Sequence, residues 1–251
     1  MNRIVLLLAA AVPALAQDGR QIMLEVQKRQ HSTSMRYEAT IRTNGGNWKT
    51  QAEADKHTVT KRWIYERIGD AGNSRAILRF TAPADMKGVS LLIVNHPDMA
   101  SDQWTWHPNG GHEQRVSAGD RSARFFGTDL SYEDLEERDV DQYEYTLTGE
   151  AGGQWRIDVH PRKMSQYTHI YFYIDKTNYT LNRTEGYNKK GPVRVMEYRD
   201  FKQVNGVWSP SAVLIQDLVA KSRSVLTIDK ADYNLPMKDE DFTVEALRRG
   251  E

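Results

Sequence analysis

Residues 35–41 read MRYEATI, with apolar and polar side chains taking turns at the period of a strand that has one face on a core. That period of two runs through most of the chain. Before it, from Gly19 to His31, the spacing is helical: Ile22 and Val26, with Met23 and Leu24 beside them, fall on one side of a wheel and polar residues fall opposite, predicting an amphipathic N-terminal helix. The turn Asn44-Gly45-Gly46-Asn47 sends the chain back through Trp48 to Trp63-Ile64-Tyr65, and turn chemistry recurs at Gly69 to Asn73, Pro108 to Gly111, Gly149 to Gly153, Asp175 to Asn178 and Asn188 to Pro192. Asn205-Gly206 between alternating runs is a strong hairpin signal, because both positions tolerate positive φ. Consecutive strands should therefore pair antiparallel. About ten to twelve strands result, a number at which twist makes an open sheet curl or close. The expected class is mainly β: a strongly curved antiparallel sheet or half-open β-barrel, with the N-terminal helix and short lid or C-terminal helices. One of these is read at residues 243–250, TVEALRRG, with Thr243 as its N-cap.

An antiparallel sheet with one wet face has strands apolar on one side only. Several strands break that rule. Residues 168–175 place Ile170, Phe172 and Ile174 on one face and Tyr171 and Tyr173 on the other; residues 89–94 are apolar almost throughout; Ile64 and Ile68 oppose Trp63 and Tyr65. One reading is a sheet wrapped round an apolar cavity able to hold a lipid-like ligand. The other is a core on one side and helix-covered apolar surface on the other. For the cavity reading, the candidate lining residues are Trp63, Tyr65, Leu78 and Phe80 from the first strands, Leu92, Trp104 and Trp106 from the next, Phe125 and Phe126 between strands, and Tyr171 and Tyr173 later on.

The 251 residues are 39% hydrophobic, enough for a sizeable core, and 34 basic residues balance 34 acidic ones. No net field draws in nucleic acid or an anionic membrane. The first sixteen residues, MNRIVLLLAAAVPALA, read as a cleavable signal peptide: an early Arg3, an apolar run too short to span about 30 Å of hydrocarbon comfortably, and a small-x-small site ending at Ala16. Residues 17–251 are then expected to form a single β domain. With no cysteine there is neither a disulfide nor a lipid-bearing thiol, and the periplasm is the expected location; the N-x-T triplets at Asn178 and Asn182 carry no weight as glycosylation sites there.

No nucleophile elbow, phosphate-binding glycine loop, H-E-x-x-H or calcium loop occurs. His96, Asp98, Asp102, His107, His112 and Glu113 crowd one segment, but their spacing matches no recognised ligand set and Pro97, Pro108, Gly110 and Gly111 mark turns where such residues are ordinary. Trp104 and Trp106 share a strand face, which Trp63, Trp155 and Trp208 join if the register allows; such a set lines a pocket or fills a core. Most strand arginines, among them Arg36, Arg42, Arg62, Arg79, Arg194 and Arg199, are expected to face solvent with Lys61. One turned inward would be costly without a carboxylate or phosphate and would mark a ligand headgroup.

Residues 124–138, RFFGTDLSYEDLEER, put two phenylalanines beside a dense acidic stretch. The phenylalanines can enter the interior, Gly127 permits a change of direction, and Ser131 with Asp134 begins a short capped helix. The charge is expected to stay in water. Either the Phe pair is a structural plug, or it gates a cavity mouth. Together with FTAPADMKGVSLL (80–92), WTWHP (104–108), Tyr198 to Phe201 and NGVWSP (205–210), the GTDLSYEDL element resembles the outer-membrane lipoprotein-sorting protein family, a LolA-like group. The likeness covers essentially the whole mature chain. It implies an exported half-open barrel with a helical lid, related to periplasmic carriers of lipoprotein acyl chains, and it transfers no individual functional residue.

The function expected is a periplasmic carrier or chaperone for lipid or lipoprotein acyl chains, monomeric, without cofactor, metal or catalysis, and with an inner-membrane exporter or outer-membrane acceptor as candidate partner. The alternative is an interaction module with a filled core that docks on a membrane lipid exporter. An enzyme acting on lipid or glycan ranks third and requires polar groups converging inside the cavity.

Overall fold

The computed structural model describes residues 18–45 and 50–249. The expected signal peptide and its cleavage point lie outside these residues, as do Trp48 and part of the first expected turn. The amphipathic helix forms at Gly19–Arg29 (α1): the Asp18 carboxylate accepts from the Gln21 backbone N–H at 2.7 Å, while Lys28 and Arg29 occupy the negative, C-terminal end. Ile22 and Met23 are buried, whereas Leu24 points to solvent, a step too far round the wheel.

Fifteen strands are present among the described residues. The first six are β1 (Ser34–Asn44), β2 (Thr58–Asp70), β3 (Asn73–Ala82), β4 (Ser90–Val94), β5 (Asp102–Trp106) and β6 (Glu113–Arg115), with a short helix α2 (Gln51–Lys56) between β1 and β2. After a long connection come β7 (Tyr143–Ala151), β8 (Gln154–Pro161), β9 (His169–Asp175), β10 (Leu181–Asn188) and β11 (Gly191–Arg199), then β12 (Lys202–Val204), β13 (Val207–Ser209), β14 (Ala212–Asp217) and β15 (Ser222–Tyr233). The count exceeds the expected ten to twelve because β6, β12 and β13 have three residues each, too few to display a period. The β12–β13 hairpin turns at Asn205 and Gly206, whose φ angles of 49° and 83° meet the demand read from the sequence.

Thirteen strands form one open, curved antiparallel sheet in the order β6-β5-β4-β3-β2-β1-β15-β14-β11-β10-β9-β8-β7. The chain steps outward from β1 to one end of the sheet, reappears at the other end and works back, so that β15 pairs with β1 near the middle, Leu226 opposite Ile41. Residues 116–142, which join β6 to β7, must cross from end to end. They do so over one face.

That inner face is continuous through the register: Leu91, Leu78, Tyr65 and Tyr37 lie opposite one another across β4 to β1, and Phe172, Thr184 and Met196 do so across β9 to β11. Its first half packs Trp63, Phe80 and Ile215 against Phe125 and Leu130 of the crossing segment. Its far end packs Trp155, Ile157 and Ile174 against Ile22 and Met23 of α1. A third cluster lies on the outer face, where Phe242, Ala246 and Leu247 cover Ile77 and Leu92. This accounts for β4: it is apolar on both faces because both are covered. The expected closing helix is a single 3₁₀ turn, Glu245–Arg248, and Thr243 caps it as expected, its Oγ1 accepting from the Ala246 N–H at 3.2 Å.

Leu247 is 1% exposed, so Leu247→Ala should destabilise the fold by about 2–5 kcal/mol in urea denaturation, while Leu218→Ala at a site 39% exposed should change it by less than about 0.5 kcal/mol. Equal effects would show that the chain end does not seal the outer face.

Candidate functional site: the segment crossing the sheet

The crossing segment is fastened in two ways, by aromatic rings and by buried charge. Phe125 is fully buried among Phe80, stacked at 5.6 Å, and the edges of Tyr132 and Trp63 at 5.4 and 6.3 Å. The chain reverses directly afterwards: the Thr128 N–H and Oγ1 both donate to the Phe125 carbonyl, at 3.0 and 2.7 Å, and the Phe125 N–H donates to Leu130 O at 2.7 Å. Gly127 adopts φ 74° without difficulty, but Phe126 also has positive φ, 44°, which is strained for a side chain of that size. What it gains is a position half-buried between Phe80, 5.3 Å away, and His107, 5.4 Å away.

The acidic residues do not stay in water, contrary to the sequence expectation. Asp129 is fully buried, accepting from Arg124, Ser222 and Ser224 Oγ, the last at 2.7 Å, so the loop is tied to β15. Ser131 and Asp134 make the expected reciprocal cap: the Ser131 N–H donates to Asp134 Oδ2 at 2.7 Å and the Asp134 N–H donates to Ser131 Oγ at 3.2 Å. That cap is then drawn inward, for Asp134 also accepts from Tyr167 OH at 2.6 Å and from Arg194 on β11, whose second nitrogen lies 3.6 Å from Asp217. Glu133 pairs with Arg138, and Glu136 with Arg121 while accepting from Gln103 at 2.8 Å. Glu137 lies 3.3 Å from Arg67 and accepts from Ser74 at 3.0 Å.

Each of these groups loses water and recovers only what its partners return. Burial raises the pKa of Glu136 despite Arg121, and raises that of Glu137 despite Arg67. For Arg194, burial opposes the charge but Asp134 more than compensates, and the guanidinium is held charged. Arg194 is thus an inward strand arginine of the kind the sequence reading flagged, and it meets carboxylates of this chain. Its Nε is buried without a hydrogen bond.

Between this charged strap and the sheet lies a cavity of about 140 Å³. Ile170, Phe172, Leu181 and Met196 form its apolar wall, with Arg194 the charged point of that sheet face; Glu133, Asp134, Glu136 and Arg138 form its polar roof, and Tyr143, Tyr167 and Tyr198 its corners. Burial pushes the Tyr143 and Tyr198 hydroxyls up to about 12, so they remain protonated donors. A Cβ on Gly186, in the floor, would stand 2.4 Å from the Tyr167 ring, so the glycine is there to let that ring close over the site.

The eleven residues proposed from sequence do not line one space. Trp63, Tyr65, Leu78, Phe80 and Phe125 pack together in the first core cluster with Phe126 against it. Leu92, Trp104 and Trp106 are on the outer face under the chain end. Tyr171 and Tyr173 alternate with Phe172 and so face outward, with Tyr171 edge-on to Tyr187 and under Arg156 at 4.7 Å. Trp155 belongs to the α1 cluster and Trp208 to the β12–β13 hairpin, so the tryptophans are dispersed. So is the histidine-rich segment: His96 bonds Asp102, His112 its neighbour Gly110, and Glu113 pairs with Arg248. The sequence singles out Asp134, Ile170, Phe172 and Arg194 separately, but their convergence depends on β9 to β11 meeting the segment; Gly186 inside a strand is the one local sign.

A family model described as an uncharacterized protein matches residues 72–249, well over half of the sequence. The chain belongs to this family. No curated protein matches it. Among solved structures it is similar to a DUF1329 family protein from Desulfovibrio piger, at 21% identity and TM-score 0.83 over 91% of this chain and 97% of that one. It is also similar to a Vibrio parahaemolyticus domain described by outer membrane lipoprotein sorting, at 20% identity and TM-score 0.83 over 92% and 98%, and to the LolA superfamily protein NE2245 from Nitrosomonas europaea, at 19% and 0.70 over 90% and 97%. At such identities the likeness is one of fold, and the fold is LolA-like.

Because Glu137 titrates higher when folded than its ordinary 4.5, the folded state binds more protons than the unfolded one from about pH 4.5 upward, and this group's contribution to stability falls as pH rises through that window. Relative to Glu137→Gln, the wild type should therefore gain stability as pH is lowered from 7 towards 4.5, measured by urea unfolding at each pH; parallel profiles would mean that Arg67 fully offsets the burial.

Proposed function

We propose that this protein is a carrier for lipid or lipoprotein acyl chains, which enter between the crossing segment and the inner face of β9 to β11. The observation that carries the reading is the cavity itself: an apolar wall facing a hydrogen-bonding roof suits an amphiphile with its tail on Phe172 and Met196 and its headgroup near Arg194 and Tyr167. As it stands, the space matches a benzene-sized guest, whereas drug-sized ligands occupy about 300 Å³ or more. A whole tail needs the strap displaced. Burial of roughly 200 Å² of tail would return about 5 kcal/mol, comparable to the cost of breaking one buried ion pair. Loading would thus be coupled to local movement of the strap over the cavity, about Glu133 to Arg138, where Asp134 lets go of Arg194, with Phe126 at the edge of the moving part.

In this reading the protein works in the periplasm after export, as a monomer, makes or breaks no covalent bond, and exchanges its cargo with a membrane exporter or acceptor. Among the described residues no helix is long and apolar enough to cross a membrane. A second reading, an interaction module docking on an exporter, is favoured by the first half of the inner face, where Phe125 fills the space between Trp63 and Phe80.

Titration with a fluorescent fatty acid, alongside native mass spectrometry of protein purified from its own envelope, separates the two. Met196→Trp, which fills the cavity, should weaken uptake by about tenfold or more, a loss of at least about 1.4 kcal/mol, and Phe126→Ala should raise the on-rate. Absence of any bound or co-purified lipid in the wild type would overturn the carrier and leave the docking module.

A further inference from the structure

The outer face of β7 to β10 carries a second cluster, separate from the cavity. The register places Glu144 opposite His160 across β7 and β8, and Tyr187 opposite His169 across β9 and β10. Asp158 precedes His160 by two residues on the same face and lies opposite Tyr171. Asp158 bridges the two imidazoles: Oδ1 is 2.8 Å from His169 Nδ1 and Oδ2 is 3.3 Å from His160 Nε2. The two rings stack at 5.4 Å, inclined by 22°.

We propose that Asp158, His160 and His169 form a binding site for a divalent transition-metal ion of the zinc class. One candidate ligand atom from each residue lies within 4.8 Å of the others. Zinc in tetrahedral coordination, with bonds near 2.0–2.1 Å, holds its ligand atoms about 3.3 Å apart. Asp158 Oδ2 is already at that distance from His160 Nε2, Oδ1 lies closer than that to His169 Nδ1, and a turn of the carboxylate together with rotation of His160, half in solvent, brings one oxygen and both imidazoles into range. Two imidazoles and one carboxylate are a ligand set of intermediate softness, suited to zinc and its neighbours rather than to calcium or magnesium. Glu144 is within cross-strand reach as a fourth ligand, or water completes the shell. Arg156, two residues before Asp158 on the same face, is engaged elsewhere, lying over Tyr171 and donating from Nε to Thr148 Oγ1 at 3.1 Å.

The ordinary role for these residues is a hydrogen-bond cluster on the outer face, with His160 exposed and Asp158 and His169 partly covered, and ion pairs near the surface contribute only about 0–1 kcal/mol. Their replacement therefore leaves the fold standing, which makes the site testable in the intact protein. Metal-free protein titrated with zinc chloride in a calorimeter should bind one ion per chain with Kd below about 10 μM, and cobalt(II) should give the visible absorption of a four-coordinate site. His160→Ala and His169→Ala should each weaken binding at least about tenfold, the scale at which even outer partners of a metal act. His112→Ala, an exposed histidine elsewhere, should leave it unchanged. Circular dichroism confirms that each variant is folded. Zinc binding weaker than about 100 μM, or binding unaltered in the His160→Ala/His169→Ala double variant, would overturn the proposal; lipid uptake plays no part in this readout.

Discussion

The contact between Asp134 and Arg194 fixes the arrangement of the inner face. The side chains are 3% and 7% exposed, so each has lost nearly all its water. Such a pair contributes little net stability against an apolar substitute, but removing one partner strands the other and costs about 3–5 kcal/mol. The consequence is positional. A segment of 27 residues without regular strands is held in one register on the sheet, because any sliding would leave Arg194 and Tyr167 without the carboxylate they share. Asp129 at one end and Glu137 at the other repeat the device against Ser224 and Arg67.

Held in this way, the strap divides the concavity into two unlike halves. Towards β1 to β4 the strap inserts Phe125 and the interior is packed; towards β9 to β11 it presents polar groups and leaves room. The join between the halves runs through residues 124–132, where an aromatic anchor, a left-handed phenylalanine and a capped turn follow one another. A strained backbone at such a boundary persists because Phe80 and His107 secure the ring and Asp129 secures the chain just beyond it.

Local features of the fold were legible in the sequence wherever neighbouring residues decide them. The helix at α1, the Asn205-Gly206 hairpin, the Thr243 cap and the Ser131–Asp134 cap all depend on residues within a few positions of each other, and all are present. The two-faced apolar pattern of β4 and β9 was also visible. What periodicity could not supply was the cause, which differs between them: β4 is covered outside by the chain end, whereas Tyr171 and Tyr173 of β9 remain at the surface. The cavity was illegible for a related reason. Phe172, Met196, Glu136 and Tyr167 converge only after distant strands pair, and an acidic run is indistinguishable from a solvated one until its arginine partners are located.

The pairing of β1 with β15 has a kinetic consequence. Ile41 and its partner Leu226 are 185 positions apart, so until β15 is in place β1 stands with one edge of the sheet unsatisfied. Contacts of such long sequence separation slow folding, since loop closure must precede any gain from them. Closure of the sheet therefore waits on Ser222–Tyr233, and until that strand docks the polypeptide stays open to chaperones and proteases.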